Sequence, residues 1–391
     1  MRKASGDLFP TDAPLPAGQL IGRDEDVREI ATALENGTHL IVAGPRRTGK
    51  TSVCEAALTR LGGRGVYTAT LDLFRIATTA ELAEAIAVAV IANRGPMRRL
   101  LRKARNAGLA ALSATQANAV LKMTGELGEG VELALTPGLA ARDPDRALDL
   151  ALALPERIAV ADGKRAVLFM DEFQEVASPR APYGDPDAVT KRMRAVFQRS
   201  TAVSYLFAGS VEHLMRDLFA PSRRAFSGFG SFHSLRPISA AEWEAGLKRR
   251  FAGDDCDVRE PALTKLIEMG GGHPRATMRI SQQSHLASVQ LETREIDLNV
   301  VELGYRAALR GDTPMMEQTV DRMRTLHKSA LPVARALATG ASSPRNMHPG
   351  VRDRVLKLLR DAGIVEHRAR GEWLIVNPLL KAYLADLDPV R

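Results

Sequence analysis

The sequence predicts an α/β protein built on a mostly parallel sheet, followed by helical and mixed blocks. Three observations predict it. Five apolar runs of strand length, "HLIVAG", "GVYTATLDL", "AVLFMDEF", "VSYLFAGS" and "FHSLRPI", alternate with helix-patterned stretches. The first run breaks into "GPRRTGKTS", whose Gly44, Gly49, Lys50 and Thr51 fit G-x-x-x-x-G-K-S/T, the phosphate-binding loop between a strand and a helix. After Pro237 the strand runs stop and helical periodicity takes over.

The bulk properties bound the class. A chain of 391 residues exceeds one ordinary core, so two or three domains are expected. Hydrophobic content of 45% and charged content of 26% are those of a soluble globular protein. The two cysteines, Cys54 and Cys256, lie far apart in no metal-ligand spacing, which argues against a disulfide framework and fits a reducing cytoplasm. The N-terminal stretch has no signal-like apolar core, and no run approaches the ~20 residues of a membrane span, so no membrane partner is expected. A net charge of +8 favours a polyanionic partner such as nucleic acid, although a GC-rich genome also yields arginine-rich chains.

Taken in order, residues 1–20 read as an extended lead-in rich in Pro and Gly. "GRDEDVREIATALEN" places Val27, Ile30 and Leu34 at helical spacing and ends at Asn36-Gly37. A helix is expected from about Thr51 to Leu61, and an Ala-rich one over 79–93. Residues 95–160 read as a helical insertion whose "MRRLLRKAR" segment is either a solvated face or a DNA-contacting patch. Residues 239–312 read as helices broken at "GGGHP". A third block, 315–385, reads as helices followed by the strand-like runs "GIVEHRA" and "EWLIVNP".

The loop has a physical purpose. Successive backbone N–H groups over Gly44, Pro45, Arg46, Arg47, Thr48, Gly49, Lys50, Thr51 and Ser52 can turn toward one concavity and hold phosphate oxygens, aided by the positive end of the helix beginning near Thr51. Glycine at 44 and 49 admits angles and close approaches that side chains would block. Lys50 then reaches the β- and γ-phosphates of a nucleoside triphosphate, and the Thr51 hydroxyl binds Mg²⁺. "VLFMDEF" is an apolar strand ending in two carboxylates. Beside a phosphate loop, Asp171 can hold Mg²⁺ through water, and Glu172 can polarise a water for attack on the γ-phosphate. A second carboxylate favours hydrolysis over phosphoryl transfer to a substrate hydroxyl. Ser210, ending the fourth strand, is placed either to touch the γ-phosphate or attacking water, or simply to end the strand.

Together, "LIGRDEDVREI", "GPRRTGKTS", "VLFMDEFQEV", "FAGSVEHLM" and "GGHPR", in this order, resemble the archaeal-type ATPases of the STAND/AAA+ P-loop group, relatives of the replication-initiator ATPases. The resemblance covers about residues 20–385. It implies a five-stranded parallel core over 21–238, with a strand added beside the Mg²⁺-binding one. It also implies a helical lid over 239–312 and a winged helix over 313–391. It implies ATP and Mg²⁺ as ligands, with Gly22 and Arg23 near the adenine, Pro274 near the base or ribose, and Arg275 sensing the γ-phosphate. Family members often carry an arginine a few residues before the fifth strand, available to a neighbouring subunit's γ-phosphate. Here Phe229 stands about there, with Arg223 and Arg224 slightly upstream. That departure puts fast, oligomer-coupled hydrolysis in question and leaves a slow or partner-stimulated ATPase.

In the last block, "VRDRVLKLLRDAGIVEHRARGEWLIVNPLL" reads as a helix, a turn at Gly363 and a two-strand wing, with Val351, Val355, Leu358 and Leu359 as its apolar face. Arg352, Arg354, Lys357 and Arg360 suit a groove-entering helix, and His367, Arg368 and Arg370 a phosphate-touching wing tip. Double-stranded DNA is one expected partner. The alternatives are a protein effector, controlled without DNA, or a second copy of the chain.

Overall fold

The computed structural model describes residues 2–92, 131–133, 138–177, 185–219, 225–341, 344, 347–369 and 371–387. The chain divides into two compact units, one of Glu25–Gly44 and Lys50–Leu235, the other of Met1–Asp24, Pro45–Gly49 and Arg236–Arg391.

The first unit holds an all-parallel sheet of β1 (Leu40–Ala43), β2 (Tyr67–Asp72), β3 (Ala166–Asp171), β4 (Val203–Gly209) and β5 (Ser231–Phe232), in the order β2-β3-β4-β1-β5. Every residue of β3 and β4 is buried, as a parallel sheet covered on both faces requires. β2, at one edge, mixes buried Ala69 and Leu71 with the exposed Thr70. The fifth strand is shorter than its sequence run, only two exposed residues pairing with Leu40 and Ile41. The added strand is β4, inserted between β1 and β3. Helices Asp24–Glu35, Lys50–Gly62 and Thr79–Ile91 follow the expected periodicity. The described part of the expected insertion is dominated by the helix Pro144–Ala161, which packs on Thr79–Ile91. The basic segment 97–105 lies outside the described residues.

An aromatic cluster fills one side of the sheet. Phe173 lies 4.5 Å from Phe207, and Phe197 stacks on Tyr205 at 3.9 Å. Phe229 belongs to this cluster. It is 5% exposed, stacks on His39 at 4.4 Å and carries the Arg194 guanidinium over its ring. The position at which the resemblance implies an intersubunit arginine is therefore a core position. Arg223 and Arg224 lie outside the described residues.

In the second unit, the helix Pro274–Gln290 packs along Leu298–Leu326, a 29-residue helix that runs without interruption through the expected 312/313 boundary. The N-terminal lead-in is more than an extended strand. Ser5–Leu8 is a short helix, and Phe9 is fully buried against Phe251 at 4.6 Å. Lys3 N donates to Asp254 Oδ1 at 2.7 Å, and Ser5 Oγ pairs with His285 Nδ1 at 2.8 Å. Asp254, Cys256 and His285 lie close enough together to share a metal ion. Asp254, however, already accepts from Lys3 and His285 and pairs with Arg2 and Arg294. Two guanidiniums beside it oppose a cation, so the cluster is a polar tether for the N-terminus.

The C-terminal block places the helix Pro349–Asp361 beside an antiparallel hairpin, Val365–Ala369 with Glu372–Ile375. Its core face differs from the sequence reading. Val355, Leu356 and Leu359 are buried, whereas Val351 is 40% exposed and Leu358 only half-buried. The packing surface is thus rotated about the helix axis relative to the expected stripe. Arg370 lies outside the described residues, as does the side chain of Arg368.

Candidate functional site

In the sheet-bearing unit, β1 ends at the loop and Gly44 N donates to Gly209 O at 3.3 Å. Gly44 has no left-handed φ, so the unusual backbone angle expected there is not adopted, and a Cβ built on it would meet nothing within 4 Å. The helix Lys50–Gly62 starts with Lys50 and Ser52 buried at 6% and 7% exposure. Thr51 Oγ1 donates to Asp171 Oδ2 at 2.6 Å. Asp171 is the last residue of β3 and is buried. Burial pushes its carboxyl up from the usual range, against the Thr51 hydrogen bond, and the adjacent Glu172 pushes the same way. A buried carboxylate whose charge is disfavoured, next to a hydroxyl, is a donor set that fits a hard divalent cation such as Mg²⁺.

Glu172 follows in a left-handed conformation at φ 52°, unusual for a residue with a side chain. The cause lies on either side of it. β3 holds Asp171, while Phe173 and Gln174 are drawn fully into the core, so the chain must turn sharply at Glu172. Its carboxylate Oε2 accepts from Ser210 Oγ at 2.7 Å and from Gln174 Nε2. β3 and β4 are adjacent in the sheet, which is why Glu172 and Ser210 meet across 38 residues of sequence. Ser210 is 4% exposed, with its hydroxyl turned to Glu172.

The second unit contains the loop tip. Gly49 adopts φ 91° and Arg47 φ 65°; the left-handed arginine is a feature the spacing did not reveal. Thr48 Oγ1 closes the turn on Pro45 O at 2.9 Å. Arg23, 6% exposed, donates to the Thr48 carbonyl at 3.3 Å and to Arg236 O. Gly22 lies against Ile238 and Glu242. Pro274 opens its helix, which His273 caps by accepting from Ala276 N at 3.2 Å. Arg275 Nη1 pairs with Asp312 Oδ2 at 2.6 Å, and Arg279 Nε with Oδ1 at 3.2 Å. Arg47 contacts Met315 Sδ, and Arg46 bears electrostatically on Arg47 and Arg322. Burial, with Arg275 and Arg47 nearby, lowers the His273 pKa to about 4, so its ring is neutral.

Three of these residues escaped the sequence reading: Gln174, His273 and Asp312. Gln174 was adjacent to the acidic pair in "DEFQ", and His273 preceded a helix-opening proline. Asp312 had no local signal, since its partners come from another helix.

Residues 19–208 match the family of AAA ATPase domains. This segment is an AAA ATPase domain. No curated protein matches the chain in sequence. Solved structures share the fold of the whole ATPase. A Walker-type ATPase of Pyrococcus abyssi superposes with a TM-score of 0.68 at 16% identity, over 96% of this chain and 99% of that one. The ORC2 protein of Aeropyrum pernix, in ADPNP–ADP complexes, gives 0.58 at 16% identity, over 98% and 96%. Cdc6p of Pyrobaculum aerophilum gives 0.50 at 12% identity, over 98% of each chain. At such identities the likeness concerns the fold. No helix among the described residues of the ATPase is long and apolar enough to cross a membrane.

Proposed function

We propose that this ATPase is a nucleotide-controlled switch that docks on double-stranded DNA through its C-terminal helix and hairpin. The chemistry is assigned as follows. Lys50 neutralises the β- and γ-phosphates, and the N–H groups of the 44–52 loop cradle them. Thr51, and Asp171 through water, would hold Mg²⁺, which would supply charge neutralisation to the triphosphate. Glu172 accepts a proton from the attacking water, and Ser210 fixes the carboxylate that does so. Gly22, Arg23 and Pro274 line the nucleoside. Arg275 serves as the γ-phosphate reader by exchanging the Asp312 carboxylate for a phosphate oxygen. The domain reading is a lid over 239–312 and a winged helix beyond it.

The observation that carries the DNA reading is the row Arg354, Lys357 and Arg360, exposed at i, i+3 and i+6 on the helix Pro349–Asp361, with the hairpin beside it. An electrophoretic shift over a salt series, with and without ATP, tests it. The expected result is binding that weakens steeply with salt and depends on nucleotide. No shift at low salt overturns it.

A protein effector, or a second copy of the chain, in place of DNA is the second reading. It is favoured by Asp353, exposed on the same face, and by Asp361, which pairs with Arg360 at 3.1 Å and so cancels part of the row.

A further inference from the structure

Gln174 is 1% exposed, in the short helical turn Phe173–Ala177 that follows the acidic pair. Its amide nitrogen donates to Glu172 Oε2, the same oxygen that accepts from Ser210 Oγ. The amide orientation is dictated by charge: only the NH₂ group can face a carboxylate oxygen. The consequence is that Gln174 Oε1 points away, into the interior, where it finds no hydrogen-bond donor among the described residues. A buried acceptor left unpaired is costly and rare, and its presence calls for a reason.

The surroundings are shaped to accept this glutamine. A Cβ built on Gly209 would lie 2.5 Å from Gln174 Oε1 and 2.5 Å from Met215 Cγ and Sδ. Glycine at the end of β4 thus leaves room for the amide oxygen. That end of β4 is also where Ser210 is launched. One strand terminus therefore delivers one donor to Glu172 and makes space for the residue that delivers the other.

We propose that Gln174 is a positioning residue for Glu172. This rests on the reading of Glu172 as the general base. Gln174 and Ser210 both grip Oε2, so the carboxylate cannot rotate freely, and Oε1 is left as the oxygen presented to the attacking water. A carboxylate on a left-handed residue at a sharp turn has little else to fix its direction. The unpaired Gln174 Oε1 is the cost of aiming the base.

The test is a double-mutant cycle on the full chain, reading steady-state Mg²⁺-ATPase and the affinity for a non-hydrolysable ATP analogue. The variants are Gln174→Leu, Gln174→Met, Glu172→Gln and the corresponding doubles. Met is unbranched and matches the glutamine in length, so it keeps the proposal testable if Leu fails to fold. Gln174→Met is expected to lower kcat about tenfold or more, because a misaimed catalytic group is inefficient. KM and analogue affinity stay within about twofold, since the grip is on the base and not on the nucleotide. In the Glu172→Gln background the same substitution adds no further loss, which a merely structural glutamine would not produce. Wild-type or raised kcat in a folded Gln174→Met overturns the proposal, as does an equal fractional loss in both backgrounds. If Glu172→Gln itself turns over like wild type, the base reading falls first and takes this proposal with it; an inactive Glu172→Gln beside a fully active Gln174→Met removes the proposal alone.

Discussion

Thr51 Oγ1 donates to Asp171 Oδ2 at 2.6 Å, joining the first turn of the helix after the phosphate loop to the end of β3, which β4 separates from β1, the strand that leads into the loop. The hydroxyl offsets part of the cost of burying the carboxylate. Asp171→Asn is expected to keep the fold at some cost in stability, because the amide oxygen still accepts from Thr51 while the bond that Asp171 Oδ1 accepts from Glu172 N is lost; Mg²⁺-dependent turnover falls at least tenfold and the Mg²⁺ concentration for half-maximal activity rises. Titration of activity against Mg²⁺ checks this; an unchanged curve would place the metal elsewhere.

Lys50→Ala is expected to abolish turnover or nucleotide binding. Lys50 is buried at the loop, and alanine removes its positive charge from the β- and γ-phosphates. Nucleotide affinity by calorimetry, alongside phosphate release, measures it, and full retention of Mg²⁺-ATPase activity would refute the site.

Glu172→Gln is expected to bind ATP with near wild-type affinity and to hydrolyse it roughly 10²–10⁴-fold more slowly, the range lost with a positioned general base. Single-turnover kinetics separates the two effects. Ser210→Ala is expected to show a smaller loss of the same kind, since Gln174 still holds the carboxylate.

His273 predicts a pH dependence of stability. Its folded-state pKa of about 4 lies below the ordinary 6.5, so between those values the unfolded chain binds a proton that the folded chain refuses. Stability is therefore complete above about pH 6.5 and declines as pH falls toward 4, by on the order of 3 kcal/mol from this residue. His39 and His285, both lowered chiefly by burial, act in the same direction. His273→Asn keeps an N-cap acceptor and is expected to flatten this part of the profile in denaturant melts between pH 4 and 7; an unchanged slope would show that His273 does not titrate across this window.

Phe229→Ala is expected to destabilise the sheet-bearing unit by about 3–5 kcal/mol through loss of a buried ring and the cavity left behind. Asp312→Ala is expected to cost roughly 3 kcal/mol for a different reason, two guanidiniums stranded without their shared carboxylate. Thermal unfolding of each variant measures the losses.

Sequence alone determined the parts of this ATPase that depend on local spacing. The phosphate loop is legible because a strand, a turn with a glycine in a left-handed conformation at 49 and a lysine must occur consecutively for phosphate to be held. Asp171 and Glu172 are legible because a strand ending in two acids follows a phosphate loop in the same chain. The order of helices and strands follows from periodicity, since each period exposes one face to the core.

Tertiary structure decided everything that required two distant segments to meet. Parallel strands bring together side chains far apart in sequence, so the grip of Ser210 on Glu172 depends on β3 and β4 lying side by side. The pairing of Arg275 with Asp312, the docking of Phe9 on Phe251 and the burial of Phe229 likewise arise from packing across elements. No local pattern encodes such contacts, because their free energy exists only once the chain has closed the intervening loops.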